Sequence, residues 1–204
     1  MGTELVTTVK IGSKKLEAKV LIESNTLIIR GVERKVIPLQ HMQSVSLKSG
    51  TILFSFEKES YQIVLGDRAE KWFEKIKNPK SVMDKIGIKS DSTVAIINIS
   101  DFNFINDVKK LTKKITINKS LKNTDIIIGE ANNPVEAEKR FSLKKYLQSN
   151  GAIWIVSRKG KSASIKDVEV MEIGRNYGFV DVKVVSFSES HTALKFVIPV
   201  NDRK

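Results

Sequence analysis

Between Glu4 and Leu65 the chain has no run with a helical period, and this absence constrains its fold more than any other feature. Apolar residues there alternate with polar ones or form short bursts over residues 5–11, 16–22, 26–29, 35–38, 42–47, 51–56 and 61–65. Turn residues such as Gly12-Ser13, Gly31 and Ser49-Gly50 separate them. Strands this short and closely spaced can be joined only by hairpins, which predicts an all-β barrel or sandwich. The period changes at Gly66-Asp67. Asp67 and Glu70 have capping-box spacing, and Ala69, Trp72, Phe73 and Ile76 share one helical face before Asn78-Pro79 ends the run.

An all-β barrel closed by one helix that carries a tryptophan resembles the pleckstrin-homology superfold, in which the terminal helix plugs an open barrel corner. The resemblance covers residues 1–78 and implies a core-plug role for Trp72. Members of that family often bind phosphoinositides or peptides, with basic residues near the first hairpin. The lysines available at that turn are Lys10, Lys14 and Lys15.

Residues 79–88 read as a linker with a short helix stopped by Gly87, and residues 89–204 alternate strand and helix patterns. Apolar strands are predicted at residues 93–97, 124–128 and 152–156, with a shorter one at 115–117. Asp101 is placed to cap one helix. Asn133 and Pro134 open another that is expected to reach Gln148 and stop at Asn150-Gly151. The run from Ala152 to Val156 is apolar at every position, which suits a strand covered on both faces. Ser164 and Asp167 give a further capping-box spacing. Runs at 180–187 and 193–200, joined through Ser188-Glu189-Ser190-His191, read as an edge hairpin. The sum is a Rossmann-like α/β sheet with an antiparallel edge.

In such sheets ligands sit beyond the carboxyl ends of the strands. That rule selects Asn98, Asp101, Glu130, Ser157, Arg158, Lys159, Lys161 and Ser162 as candidates for an anion or ligand site. Each is also an ordinary cap or turn residue. Gly160-Lys161-Ser162 imitates the end of a phosphate-binding loop, but Ile155 stands where that motif needs its first glycine. Arg158, Lys159 and Lys161 could still hold an anion beside a helix start near Ser164. No glycine follows the first α/β strand, which argues against a dinucleotide or adenosylmethionine site. His41 and His191 fall in different domains, and His191 reads as a turn residue; no catalytic set and no metal site are assigned.

The chain has no cysteine, which removes disulfides, thiolate metal sites and cysteine nucleophiles. Its net charge of +12 admits nucleic acid as a partner, although the lysines are spread along helix exteriors and turns. No apolar run is long enough to span a bilayer, and a cytoplasmic protein is expected.

Three segments resemble a bacterial family of unknown function: residues 87–98, residues 150–159 (Asn-Gly-Ala-Ile-Trp-Ile-Val-Ser-Arg-Lys) and residues 177–196, ending Ala-Leu-Lys-Phe. The resemblance spans roughly 82–200 and marks Lys159 and Lys195 by position. The closing helix and hairpin also resemble the end of class I methyltransferases, with the cofactor half shortened. The function expected from these readings is noncatalytic. A docking module would be joined to a degenerate Rossmann-like module that binds a protein or small anionic ligand without a cofactor. A divergent adenosylmethionine-dependent methyltransferase and a nonspecific nucleic-acid binder are the alternatives.

Overall fold

The computed structural model describes residues 3–23 and 25–203, and it divides into two units, residues 1–80 and 81–204. In the first unit the strands are β1 (Thr3–Ile11), β2 (Lys14–Glu23), β3 (Thr26–Arg30), β4 (Arg34–Pro38), β5 (Gln43–Lys48), β6 (Thr51–Phe56) and β7 (Glu59–Val64). Their order in one sheet is β4-β3-β2-β1-β7-β6-β5, and every neighbouring pair is antiparallel. Two-residue turns at 12–13, 49–50 and 57–58 set three of the hairpin registers. Gly12, at φ +56°, turns β1 into β2 so that Ile11 faces Lys14. Ile37 of β4 and Leu47 of β5, from opposite edges, join one apolar cluster, so the sheet curls around a single core.

Helix α1 (Ala69–Lys77) buries Ala69, Trp72 and Ile76 in that core. The capping box expected from Asp67 and Glu70 does not form. Residues Gly66–Arg68 wind a 3-10 turn, and Arg68 takes the cap position without a side-chain hydrogen bond.

The second unit holds α2 (Val82–Ile86), β8 (Val94–Ile97), α3 (Phe102–Leu111), β9 (Ile115–Ile117), β10 (Thr124–Glu130), α4 (Pro134–Phe141), β11 (Leu147–Arg158), α5 (Asp167–Asn176), β12 (Val180–Ser186) and β13 (His191–Val197). The sheet order is β12-β13-β11-β10-β8-β9. Strands β9, β8, β10 and β11 are parallel, and β13 runs antiparallel between β11 and β12. The unbroken apolar strands reflect two cores. Val94, Ile96, Trp154 and Val156 face α2 and α3, while Ala95, Ile127, Ile153 and Ile155 face α4 and α5. The α/β expectation with an antiparallel edge hairpin therefore holds, β12 being outermost and β13, the last strand in sequence, lying between it and β11.

Two boundaries differ from the sequence reading. The helix begun at Pro134 ends at Phe141, a 3-10 turn covers Ser142–Tyr146, and β11 already starts at Leu147. Gly151 is thus a strand residue and not a helix stop. A Cβ there would stand 2.8 Å from the Asp125 carbonyl oxygen, so glycine is required by close approach to β10. At α5 the Ser164–Asp167 box is replaced: the Lys166 N–H donates to the Glu169 carboxylate at 2.8 Å, and Ser164 Oγ bonds the Asn132 carbonyl at 2.6 Å. Among the described residues no helix is long and apolar enough to cross a membrane.

Candidate functional site

The chain leaves β8 through α3 to reach β9 on one side, whereas β10 pairs with the other side of β8. This divergence opens a crevice at the carboxyl ends of β8 and β10, the place where open α/β sheets hold ligands. Asn98, directly after β8, has φ +53°, and Asn118, directly after β9, also has φ +53°. Asparagine tolerates this left-handed region better than most side chains. Asn98 thereby makes the sharp turn that a glycine would make. Its N–H donates to Asn118 Oδ1 at 2.8 Å, and the Asn118 N–H donates to the Ile96 carbonyl at 2.7 Å.

Beside this turn lies a cleft of about 310 Å³ whose polar lining includes Ser100, Asp101, Glu130, Ser188, Ser190 and His191. Asp101 caps α3 by accepting the Phe104 N–H at 3.0 Å. Glu130 Oε1 accepts from Asn132 Nδ2 at 3.0 Å and stands 4.0 Å from His191 Nε2. On its other edge, His191 Nδ1 lies 2.8 Å from Ser190 Oγ and 3.3 Å from Ser188 Oγ. Glu130 and His191 are both largely enclosed, with 16% and 23% of their side-chain surfaces exposed.

Arg140 backs Glu130 from the α4 side. Its Nε donates to the Glu130 carbonyl at 3.0 Å, and the residue is only 7% exposed. Burial pushes the guanidinium below its ordinary range, opposed by the carboxylates of Glu136 and Glu130. The side chain crosses directly over Gly129, where a Cβ would come 2.5 Å from Arg140 Cδ. The sequence reading passed over Arg140; a glycine inside an apolar strand was its one local signal.

Lys159 is occupied in holding the closing hairpin. Its Nζ donates to the Ser188 carbonyl at 2.7 Å and to Ser186 Oγ at 3.1 Å, and its N–H donates to the Ser190 carbonyl at 2.9 Å. Ser157 is fully buried, and among the described residues its hydroxyl has no hydrogen-bond partner. Arg158 is exposed at the end of β11, opposite His191 in the β11–β13 register. Lys161 and Ser162 lie in a separate 3-10 turn, where Ser162 Oγ donates to the Lys159 carbonyl at 3.1 Å. The helix start expected near Ser164 falls at Asp167, and Glu169 already accepts the N–H of the cap residue Lys166. The cleft therefore gathers Asp101 and Glu130 from the candidate set and adds Ser188, Ser190 and His191. Asn98, Ser157, Arg158, Lys159, Lys161 and Ser162 do not line it.

Lys195 lies elsewhere. It sits over the Trp154 ring at 5.9 Å and borders a cavity of about 380 Å³ shared with Asp91 and Asp125. Partial burial, and then the charge of Lys183, lower its pKa. In the first unit Lys10 faces Lys15 across the first hairpin, and Lys14 and Lys15 border a groove of about 610 Å³. Within that groove Lys35 pairs with Glu59 at 3.3 Å, and the Tyr61 hydroxyl donates to Glu59 at 2.9 Å. The Tyr61 hydrogen bond, ahead of Lys35, holds Glu59 below the usual carboxylate range.

No protein-family model and no curated protein matches the chain, so the expected membership of a family of unknown function finds no support. Solved structures do resemble it. A Methanococcus jannaschii fibrillarin pre-rRNA processing protein is 16% identical, with 90% of this chain and 98% of that one covered at a TM-score of 0.46. An Aeropyrum pernix fibrillarin with natively bound S-adenosyl-L-methionine is 9% identical, covering 95% and 100% at 0.44. A precorrin-6y C5,15-methyltransferase from Geobacter metallireducens is 10% identical, covering 56% and 83% at 0.42. Further matches are named as SAM-dependent methyltransferases. Two expectations, a noncatalytic binding protein and the absence of a cofactor, run against these matches, whose names are those of methyltransferases and, in one case, of a protein with bound S-adenosyl-L-methionine; the names accord with the methyltransferase alternative.

Proposed function

We propose that the second unit is a methyltransferase-type domain that takes S-adenosylmethionine in the crevice between the carboxyl ends of β8 and β10. The observation that carries this reading is the electrostatic character of the cleft. On a chain of net charge +12, its lining carries the carboxylates of Asp101 and Glu130, while Lys159, the nearest of the candidate lysines, is spent on backbone and serine oxygens. Two acidic groups favour a ligand bearing positive charge, as a sulfonium does, over an anion. The left-handed turn at Asn98 and the strand order, with β13 antiparallel between β11 and β12, support the same reading. S-adenosylmethionine, when bound, supplies an electrophilic methyl group. The chain supplies the turn that admits it, the carboxylates that balance its charge and an enclosed floor at Val156.

For the first unit we infer a pleckstrin-homology-type barrel, supported by the order β4-β3-β2-β1-β7-β6-β5 and by Trp72 in the core beneath α1. Its basic turn at Lys10, Lys14 and Lys15 is the anion candidate of that unit.

The test is calorimetric titration of the full chain with S-adenosylhomocysteine, with its cationic analogue sinefungin, and with ATP and phosphate as controls. The expected result is binding of the two adenosyl ligands alone, with sinefungin tighter and its advantage lost in Asp101→Asn. Silence of both at millimolar concentration refutes the proposal.

A further inference from the structure

The interval between Glu130 and His191 is informative in itself. At 4.0 Å the two groups are too far apart for a direct hydrogen bond, yet one oxygen atom placed between them lies about 2.8 Å from both. They come from strands far apart in sequence and meet inside the enclosed part of the cleft. We propose that this gap seats the hydroxyl of a small acceptor molecule, and that His191 removes its proton during methyl transfer. The proposal rests on the methyltransferase reading and names the acceptor class for it.

The imidazole is oriented for that task. When Nδ1–H donates to Ser190 Oγ at 2.8 Å, Nε2 carries the lone pair and faces the gap. The hairpin fixes the ring further, because Ser188 Oγ accepts the His191 backbone N–H at 3.1 Å and Lys159 ties down the Ser188 carbonyl. Glu130 is held by Asn132, with Arg140 clamping the backbone behind it. As the acceptor oxygen bonds to the methyl carbon, the carbon–sulfur bond breaks and its electron pair stays on sulfur. The proton passes to His191 Nε2, and the imidazolium so formed is balanced by the Glu130 carboxylate. A neutral aromatic amine has a free lone pair without such a base, whereas a hydroxyl must lose its proton, so the base serves an oxygen acceptor.

Charged groups near His191 are Glu130 on β10, Asp101 at the cap of α3, Arg158 and Lys159 at the end of β11, and Glu189 in its own turn. The experiment uses the full chain with labelled S-adenosylmethionine and three acceptors: catechol, ortho-phenylenediamine and an RNA oligonucleotide. S-adenosylhomocysteine affinity is measured alongside. Catechol is expected to be methylated by the wild-type chain. His191→Asn should lower kcat about 100-fold, and Glu130→Gln should lower it at least tenfold. Both variants should bind S-adenosylhomocysteine, which lacks the sulfonium charge, within about threefold of wild type. Failure of wild type to bind S-adenosylhomocysteine overturns the cofactor reading and this one with it. Binding without transfer to catechol, transfer to the diamine or RNA alone, or an unchanged kcat in His191→Asn overturns the acceptor assignment only.

Discussion

Replacing Gly151 by alanine tests whether the β10–β11 contact is as tight as its geometry implies. The added Cβ would meet the Asp125 carbonyl oxygen at 2.8 Å and Leu147 side-chain atoms at 2.9 Å, where ordinary contact begins at 3.4 Å. The overlap is with backbone on one side, and that backbone is fixed by the Asp125 and Ile126 N–H groups donating to the Thr93 carbonyl. Relief requires the strands to part where β10 and β11 already carry a register irregularity. Forcing an extra carbon into a filled site costs about 1–3 kcal/mol. Against this, alanine restricts the unfolded chain and returns about 0.4–1 kcal/mol, because Gly151 is not in the left-handed region. The net effect is a loss of about 1–2 kcal/mol, or roughly 4–8 °C in the melting of the second unit. Each unit has its own buried tryptophan, Trp72 in the first and Trp154 in the second. Thermal melts followed by fluorescence in a Trp72→Phe background therefore report on the second unit alone. An unchanged or raised midpoint in Gly151→Ala would refute the close-approach argument.

Two further outcomes follow from the same geometry. Asn98→Val forces a β-branched residue to φ +53°, a strain of about 1–3 kcal/mol, whereas Asn98→Gly accepts that turn freely. The first should weaken S-adenosylhomocysteine binding about tenfold and the second should not, as read by calorimetry. Lys195→Met should raise the stability of the second unit at neutral pH. Burial, then Lys183, lowers the pKa of Lys195 in the folded state, so the unfolded chain binds more protons between the lowered value and the ordinary 10.5. Stability of the wild type thus rises with pH through that window, and the advantage of Lys195→Met should shrink as pH approaches 10.5 in urea titrations.

The first sheet was legible because strand alternation and tight turns are local properties. Gly12-Ser13 and the Val9, Val20 and Ile22 side chains declare their hairpin without reference to the rest of the chain. The buried parallel strands were legible for the complementary reason: residues such as Ile153, Trp154 and Ile155 have no polar face to show. The start of β11 was hidden because Leu147 to Asn150 is polar enough to read as a helix end, and what decides it is the proximity of Asp125, a nonlocal fact. The pairing of Glu130 with His191 was hidden in the same way. Sequence placed one at a strand end and the other in a turn; only the insertion of β13 beside β11 brings them together. The glycine-free turn after β8 misled for a different reason, since Asn98 reproduces the backbone conformation without the residue normally associated with it.

The position of β13 has a kinetic meaning as well. Because it lies between β11 and β12, β12 has no place in the sheet until β13 is present. During synthesis β11, apolar from Ala152 to Val156, must wait with one edge bare while α5, β12 and the turn at Ser188 emerge. A bare apolar edge is a template for pairing with other chains. The segment that finally covers it is the one that opens with His191, so the same event that ends the exposure of β11 also brings His191 to Glu130.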